Sequence, residues 1–520
     1  MSLKSLLKPT LSDCLFVALI LWLVAFSLAG GGIGLLEDSG TGYHIRTGDY
    51  VLDHHAVPRH DVFSFTKPGE PWYAWEWLAS AMYAALYRWS SMKGVLLVSA
   101  AILALTMVIL ARHMIRRGSN ALVALFLIHL AIGACSIHFL ARPHVFTMLF
   151  TAISMWLLDA DRESPSRAVW WLVPLTALWA NIHGGFVVAI MCTAAFGIGC
   201  AIKAWLPEKS FAAALKPLGR YAAIGSACLA ASFVNPYGFR EHQHIIEFLR
   251  QKWILDLIEE YQSPRFHTPV VLYYEILLFL GLLVSGWLIS RKKFANALVI
   301  LMWAHYSLVS VRHIPIFVIV ALPSIGAELT ALWNSIASSF DRRSTVDVLS
   351  KLAAEHSPGL ARTSLWTPAV FALLLFVPLG IPWPSDFPDT SYPVAFVTRH
   401  ADLISSSRIF STDRLCDYLT FRFYPRQRIF IDGRGDFFGE QLSHDYLNAL
   451  NGGTGWQKTL DQYRVNAVLV PSPSGLASLL HDRTDWHVIE DDGVTALFER
   501  KQFPLVAAQS GTGGPETISR

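Results

Sequence analysis

Charged side chains are scarce in this chain: Asp, Glu, Lys and Arg make up 16% of its 520 residues, while 53% are hydrophobic. A soluble domain carries about 25% charged residues. The composition therefore excludes an ordinary soluble globular protein and makes the bilayer the main solvent. The net charge is only +3 and is dispersed along the chain, which leaves no basic face for nucleic acid. Cysteine is sparse as well. Cys14, Cys135, Cys192, Cys200 and Cys228 fall in apolar runs and Cys416 in polar sequence, none at metal-ligand or redox spacing, so all six read as packing residues. There is no Walker loop, GxSxG elbow, HExxH pair or dinucleotide fingerprint. Nothing therefore points to a soluble nucleotide donor.

What the chain has in abundance is apolar runs, and crossing a hydrocarbon core takes roughly 20 helical residues. About eleven spans are expected, near 12–36, 94–111, 120–140, 143–158, 168–182, 184–204, 218–234, 270–290, 295–311, 314–333 and 364–382. Residues 72–91 are studded with Trp and Tyr and read as an amphipathic interfacial helix. With the N-terminus inside, the basic residues fall on alternate connections: Lys4 and Lys8; Arg112, Arg116 and Arg117; Arg162 and Arg167; Lys203, Lys209, Lys216 and Arg220; Arg291, Lys292 and Lys293; Arg342, Arg343, Lys351 and Arg362. Cytoplasmic loops retain positive charge in this way. The first run also resembles a signal peptide. An uncleaved span is preferred, and either fate puts the residues after Leu36 outside.

The expected organisation is a membrane module over 1–383, with a first periplasmic loop at 37–93, a small periplasmic α/β domain over 384–504, and a Gly-rich disordered tail at 505–520. Strand-like runs RIFST (408–412), RIFID (428–432), NAVLV (466–470) and TALFE (495–499) carry the α/β reading.

On this topology the polar residues gather at the outside ends of the spans. The first loop supplies Glu37, Asp38, His44, Asp61 and Glu76. Later turns supply Arg142 and His144, Asn181 and His183, Asn235, and Arg312 and His313. A guanidinium at the end of an apolar span needs an anionic partner and matches phosphate with a two-pronged fork. Asp38, directly after the first span, suits a general base. Each has a plainer alternative: helix-end histidines satisfy carbonyls, the Trp residues form an interfacial belt, and the RGD of 434–436 is a coincidence of turn residues. His129 and His305 fall in mid-span, where packing or a transporter relay would explain them.

The segments Asp38 to Gly48 (DSGTGYHIRTG), 58–64 (PRHDVFS), the Trp72, Glu76, Trp77, Leu78 helix, and the later RPH, NIHGG, NPYG, RHIP and FIDGRGDFF clusters resemble the large-loop GT-C membrane glycosyltransferases. The resemblance implies a polytopic α-helical fold and an inverting glycosyltransferase of the bacterial inner membrane, its C-terminal domain periplasmic. Such an enzyme uses a polyprenyl-phosphate-linked sugar donor and a lipid or glycan acceptor. The family's catalytic base maps onto Asp38. Arg142, Arg312, His144 and His313 would hold the donor phosphate, and His44, Asp61, Glu76, Asn181, His183 and Asn235 the substrate. Relatives often carry a second Asp where this chain has Gly40, which leaves a divalent metal open, with Glu37 and Asp38 as its ligands. A flippase for a lipid-linked saccharide and a non-catalytic assembly protein are the competing readings.

Overall fold

The computed structural model describes residues 6–29, 34–378 and 380–501; the expected tail and the end of the first apolar run, 30–33, lie outside them. The chain is a polytopic α-helical membrane protein with a small C-terminal α/β portion. All eleven expected spans fall on helices: Leu11–Ala29, Trp77–Arg116, Ala121–Cys135, His144–Glu163, Leu172–Ala180, Val187–Glu208, Phe211–Ser232, Val271–Ser290, Phe294–Val309, Ile314–Ala337 and Trp366–Phe376. Among the described residues, six helical stretches are by themselves long and apolar enough to cross a bilayer. Thr345–Ala361 with Trp366–Phe376, bent by 63°, would make a seventh, and the remaining helices are shorter or more polar.

The expected interfacial segment and the span after it form one helix, Trp77–Arg116, interrupted at Ser90 and Ser91, whose backbone leaves the helical region. Trp89 is exposed beside this break and its ring sits 5.2 Å from Phe376. The first loop folds back as the helix Gly40–His54 against Trp77–Arg116. That approach requires glycine at 48, where a Cβ would lie 1.9 Å from the Ser80 carbonyl oxygen.

The C-terminal portion carries a four-stranded sheet of order β1-β2-β4-β3, with β1 Ile409–Ser411, β2 Ala467–Pro471, β3 Trp486–Asp491 and β4 Thr495–Arg500. β1 pairs parallel to β2, and β4 runs antiparallel to both β2 and β3. One expected strand is corrected. RIFID does not join the sheet but bridges to the first loop, where Ile429 N–H donates to the Phe63 carbonyl at 2.9 Å and Phe65 N–H to the Ile429 carbonyl at 3.0 Å. The edge strand β3 was missed because WHVIED is too polar to read as buried. The Arg434 guanidinium reinforces the junction: it contacts Asp432 at 2.6 Å and Asp61 at 2.7 Å and lies over the rings of Trp72 and Phe437.

His129 and His305 are both on exposed faces of their helices, with Tyr273 and Tyr306 as ring neighbours. A transporter relay would need them turned inward.

Candidate active site

Six separate connections bring side chains together at one end of the bundle. Asp38 follows the first span, Glu76 precedes Trp77–Arg116, and Arg142 lies in the turn before His144–Glu163. His183 precedes Gly184, Glu260 and Tyr261 sit in a short 3₁₀ turn, and Arg312 sits in the 3₁₀ turn Val311–His313 that leads into Ile314–Ala337.

Their charges alternate in a row. Asp38 Oδ2 accepts from Arg142 at 2.9 Å, Arg142 approaches Glu260 at 3.8 Å, and Glu260 approaches Arg312 at 4.0 Å. Arg312 also donates to the Tyr261 hydroxyl. The four charged side chains keep 27% to 35% exposure, so they line an open cleft and remain reachable by a ligand. Asp38 holds Arg142 firmly in its charged form, raising its pKa above the ordinary arginine value. Burial would raise the Glu260 carboxyl, but Arg312 and Arg142 outweigh it and bring the group to about 2. Asp38 Oδ1 accepts from the Gly40 N–H at 2.7 Å. A Cβ at 40 would sit 2.9 Å from Asp38 Oδ1 and 3.3 Å from Arg142 Nε, so a second Asp would intrude on the Asp38–Arg142 pair.

Beside this row Glu76 is held between two imidazoles, His44 Nε2 at 3.3 Å and His183 Nε2 at 3.4 Å. The orientation of His183 is fixed from behind. Trp179 Nε1–H donates to Thr147 Oγ1 at 2.9 Å, which leaves the Thr147 hydroxyl hydrogen for His183 Nδ1 at 2.9 Å, and the Gly185 N–H also points at Nδ1 at 3.0 Å. Nδ1 is therefore the acceptor, and Nε2–H faces Glu76. Burial keeps His44 and His183 neutral, well below the usual histidine range, and raises Glu76 to about 7 against the pull of Arg142 and Arg312.

The remaining expected site residues do other work. Asp61 is buried and accepts from Ser64 N–H, Ser64 Oγ–H and Arg434. Asn181 accepts from Trp77 Nε1–H and donates to the Val234 carbonyl, and Asn235 closes its own turn through Ser232 and Tyr237. His144 bonds the His138 carbonyl at 2.7 Å, and His313 that of Tyr306 at 3.2 Å. Glu37 turns its carboxylate to Ser391 while Asp38 turns to Arg142, and no group of three His, Cys, Asp or Glu side chains among the described residues is arranged to hold a metal ion. The donor set does not fit the metal that the resemblance left open.

Glu260 and Tyr261 were missed, although an EEY triplet in a turn facing two expected arginines was a usable signal. Glu241 was missed too. Both its oxygens are buried without a hydrogen-bond partner among the described residues, and burial together with the nearby Glu76 raises it to about 8.

Three solved structures that match are oligosaccharyltransferases of the archaeon Archaeoglobus fulgidus. AglB in complex with an inhibitory peptide and a dolichol-phosphate gives a TM-score of 0.51 at 12% identity, over 94% of this chain and 75% of that one. The apo form gives 0.51 at 10% identity, over 95% and 75%, and the form tethered to an acceptor peptide containing the NVT sequon gives 0.50 at 10%, over 94% and 75%. No family model matches the chain, and no curated protein matches it in sequence. The chain therefore shares the fold of these oligosaccharyltransferases.

Proposed function

We propose that this protein transfers a sugar from a polyprenyl-phosphate-linked donor to a lipid or glycan acceptor at the periplasmic face of a bacterial inner membrane, with inversion at the anomeric carbon. The observation that carries the reading is the open row Asp38, Arg142, Glu260, Arg312, in which Asp38, Arg142 and Arg312 lie beside the ends of apolar helices and Glu260 in a turn between the two arginines. It offers two guanidinium forks to a phosphate at membrane depth, with a carboxylate beside them. The dolichol-phosphate bound by a protein of the same fold supports the choice of donor.

In the resting cleft Arg142 neutralises Asp38. A donor phosphate competes for that guanidinium, so binding frees the carboxylate where the acceptor must enter. Asp38 then takes the proton of the acceptor hydroxyl as its oxygen attacks the anomeric carbon. The bond to the phosphate oxygen breaks, the electron pair stays with the phosphate, and Arg142 and Arg312 stabilise the charge left on it. Glu76, His44 and His183 face the sugar. No step requires a metal ion from this donor set.

The test separates binding from transfer. Asp38→Asn should retain binding of undecaprenyl-phosphate while losing sugar transfer, and Arg142→Ala should lose both. Unchanged transfer in Asp38→Asn would sink the assignment of the base.

A further inference from the structure

The first-loop helix Gly40–His54 meets Glu76 through His44. Arg46, Asp49, Tyr50 and Asp53 recur at helical spacing on the opposite face, where they line a cavity of about 790 Å³ outside the cleft. The facing wall is the stretch of Trp77–Arg116 that ends in the Ser90–Ser91 break, and the turn at Tyr424 and Pro425 adds a third side from the C-terminal portion. The middle of the cavity, Asp49 to Asp53, lies roughly 14 to 20 Å along the loop helix from its Gly40 end, beside which Asp38 sits. Small-molecule sites have volumes of ~300–1,000 Å³, so the space is ample for a ligand.

The charges here alternate and satisfy one another. Arg46 donates to Asp49 Oδ2 at 2.8 Å, and Arg88 donates to Asp49 Oδ1 at 2.7 Å and to Asp53 Oδ1 at 2.6 Å. Arg46 also donates to the Phe421 carbonyl at 2.7 Å. Two guanidinium groups thus cancel two carboxylates through short contacts, whereas in the cleft two of the ionic contacts stretch to 3.8 and 4.0 Å. An anion has little to gain from arginines already engaged in this way, and a cation little from carboxylates already neutralised. What remains on offer is different. Asp53 is 58% exposed and keeps lone pairs for further donors. The hydroxyls of Tyr50, Tyr87 and Tyr424 make no hydrogen bond among the described residues, and the Tyr50 ring stacks on His54 at 4.1 Å.

We propose that this cavity is a binding site for a neutral saccharide, separate from the cleft that holds Asp38. Carboxylate oxygens and phenol hydroxyls beside flat aromatic rings complement a molecule that carries many hydroxyls, no charge, and C–H faces to lay on a ring. The position suits such a ligand. Trp89, exposed beside the break, and the apolar stretch that follows it set the cavity at the level of the membrane surface, within reach of a saccharide on a lipid headgroup and of a free glycan. Ser91, which lines the cavity, is held at φ 56° and ψ −155°, a conformation otherwise almost confined to glycine. In transfer the site would steady the acceptor while Asp38 acts on its end. That role rests on the reading given under Proposed function; saccharide binding does not.

The test uses the full chain in phosphatidylcholine nanodiscs, with maltotriose, chitotriose and mannotriose as probes and surface plasmon resonance as the readout. At least one probe should bind wild type and Asp38→Asn equally. Asp53→Ala should weaken that binding about tenfold, the scale of one hydrogen bond to a charged group, and Tyr50→Phe should weaken it less. Both variants should keep the wild-type unfolding midpoint, because an exposed ion pair adds little stability. Inorganic phosphate should not compete. Competition by digalactosyldiacylglycerol placed in the disc assigns a lipid headgroup as the source of the saccharide, and its absence assigns a free glycan; the site stands in both cases. No probe bound by wild type, binding lost in Asp38→Asn but untouched in Asp53→Ala, or displacement by phosphate would overturn the proposal. Saccharide binding by a protein that turns over no donor leaves the site standing and sinks the transfer reading instead.

Discussion

The two ends of the helical bundle use the same residue types to opposite effect. About fifteen residues along the His144–Glu163 helix from its cleft end, roughly 23 Å away, Asp159 is 3% exposed and accepts from His113, Arg117, Arg162 and Asn296 at 2.9 to 3.2 Å. That carboxylate accepts from five donors and ties three segments together, Trp77–Arg116 with its cap Arg117, His144–Glu163 and Phe294–Val309. At the other end Asp38, Glu260 and the two arginines stay about one third exposed, with two of the three ionic contacts at 3.8 and 4.0 Å. A saturated charge cluster holds helices together, whereas an unsaturated one can still exchange a partner for a ligand.

The contrast breaks first at its acids. Asp38→Asn should lower transfer by about 10²–10⁴-fold, the range for removing a positioned base, with the unfolding midpoint unchanged; a drop in midpoint without a specific loss of turnover would place Asp38 with the staples. Asp159→Ala should do the reverse, costing about 3–5 kcal/mol in denaturant unfolding because its partners stay buried and charged, while transfer per folded molecule holds steady. A smaller effect is expected at Glu76. Its folded value of about 7 lies above its ordinary 4.5, so the folded state binds the extra proton. Stability from this group is full below pH 4.5 and declines as pH rises toward 7. Thermal unfolding of Glu76→Gln should be flatter than wild type across that window. The smallest effects belong to His129→Leu and His305→Leu, whose side chains face outward. Transfer and unfolding should both match wild type, and a loss of transport-like flux in either would revive the flippase reading.

The helical plan was legible because apolar length and basic asymmetry are local signals, and so was the break between interfacial helix and span, where Arg88 and Lys93 bracket Ser90 and Ser91. The convergence of Asp38, Glu76, Arg142, His183 and Arg312 was legible through sidedness, since residues at equivalent ends of crossing helices must share a face. What the sequence concealed depends on distant pairing. Arg434 meets Asp61 across 373 positions, so the RGD read as a coincidental turn is a buried junction, and Asp61 belongs to it rather than to substrate. Asn181 and Asn235 have the composition of site residues, yet local carbonyls and amides engage them.

The most direct test of the account is transfer of radiolabelled sugar from a panel of undecaprenyl-phosphate sugars in membranes holding matched amounts of wild type, Asp38→Asn and Arg312→Ala. The account predicts that wild type consumes at least one donor and that both variants lose that turnover. Turnover in Asp38→Asn equal to wild type, or no donor consumed by wild type, would contradict it.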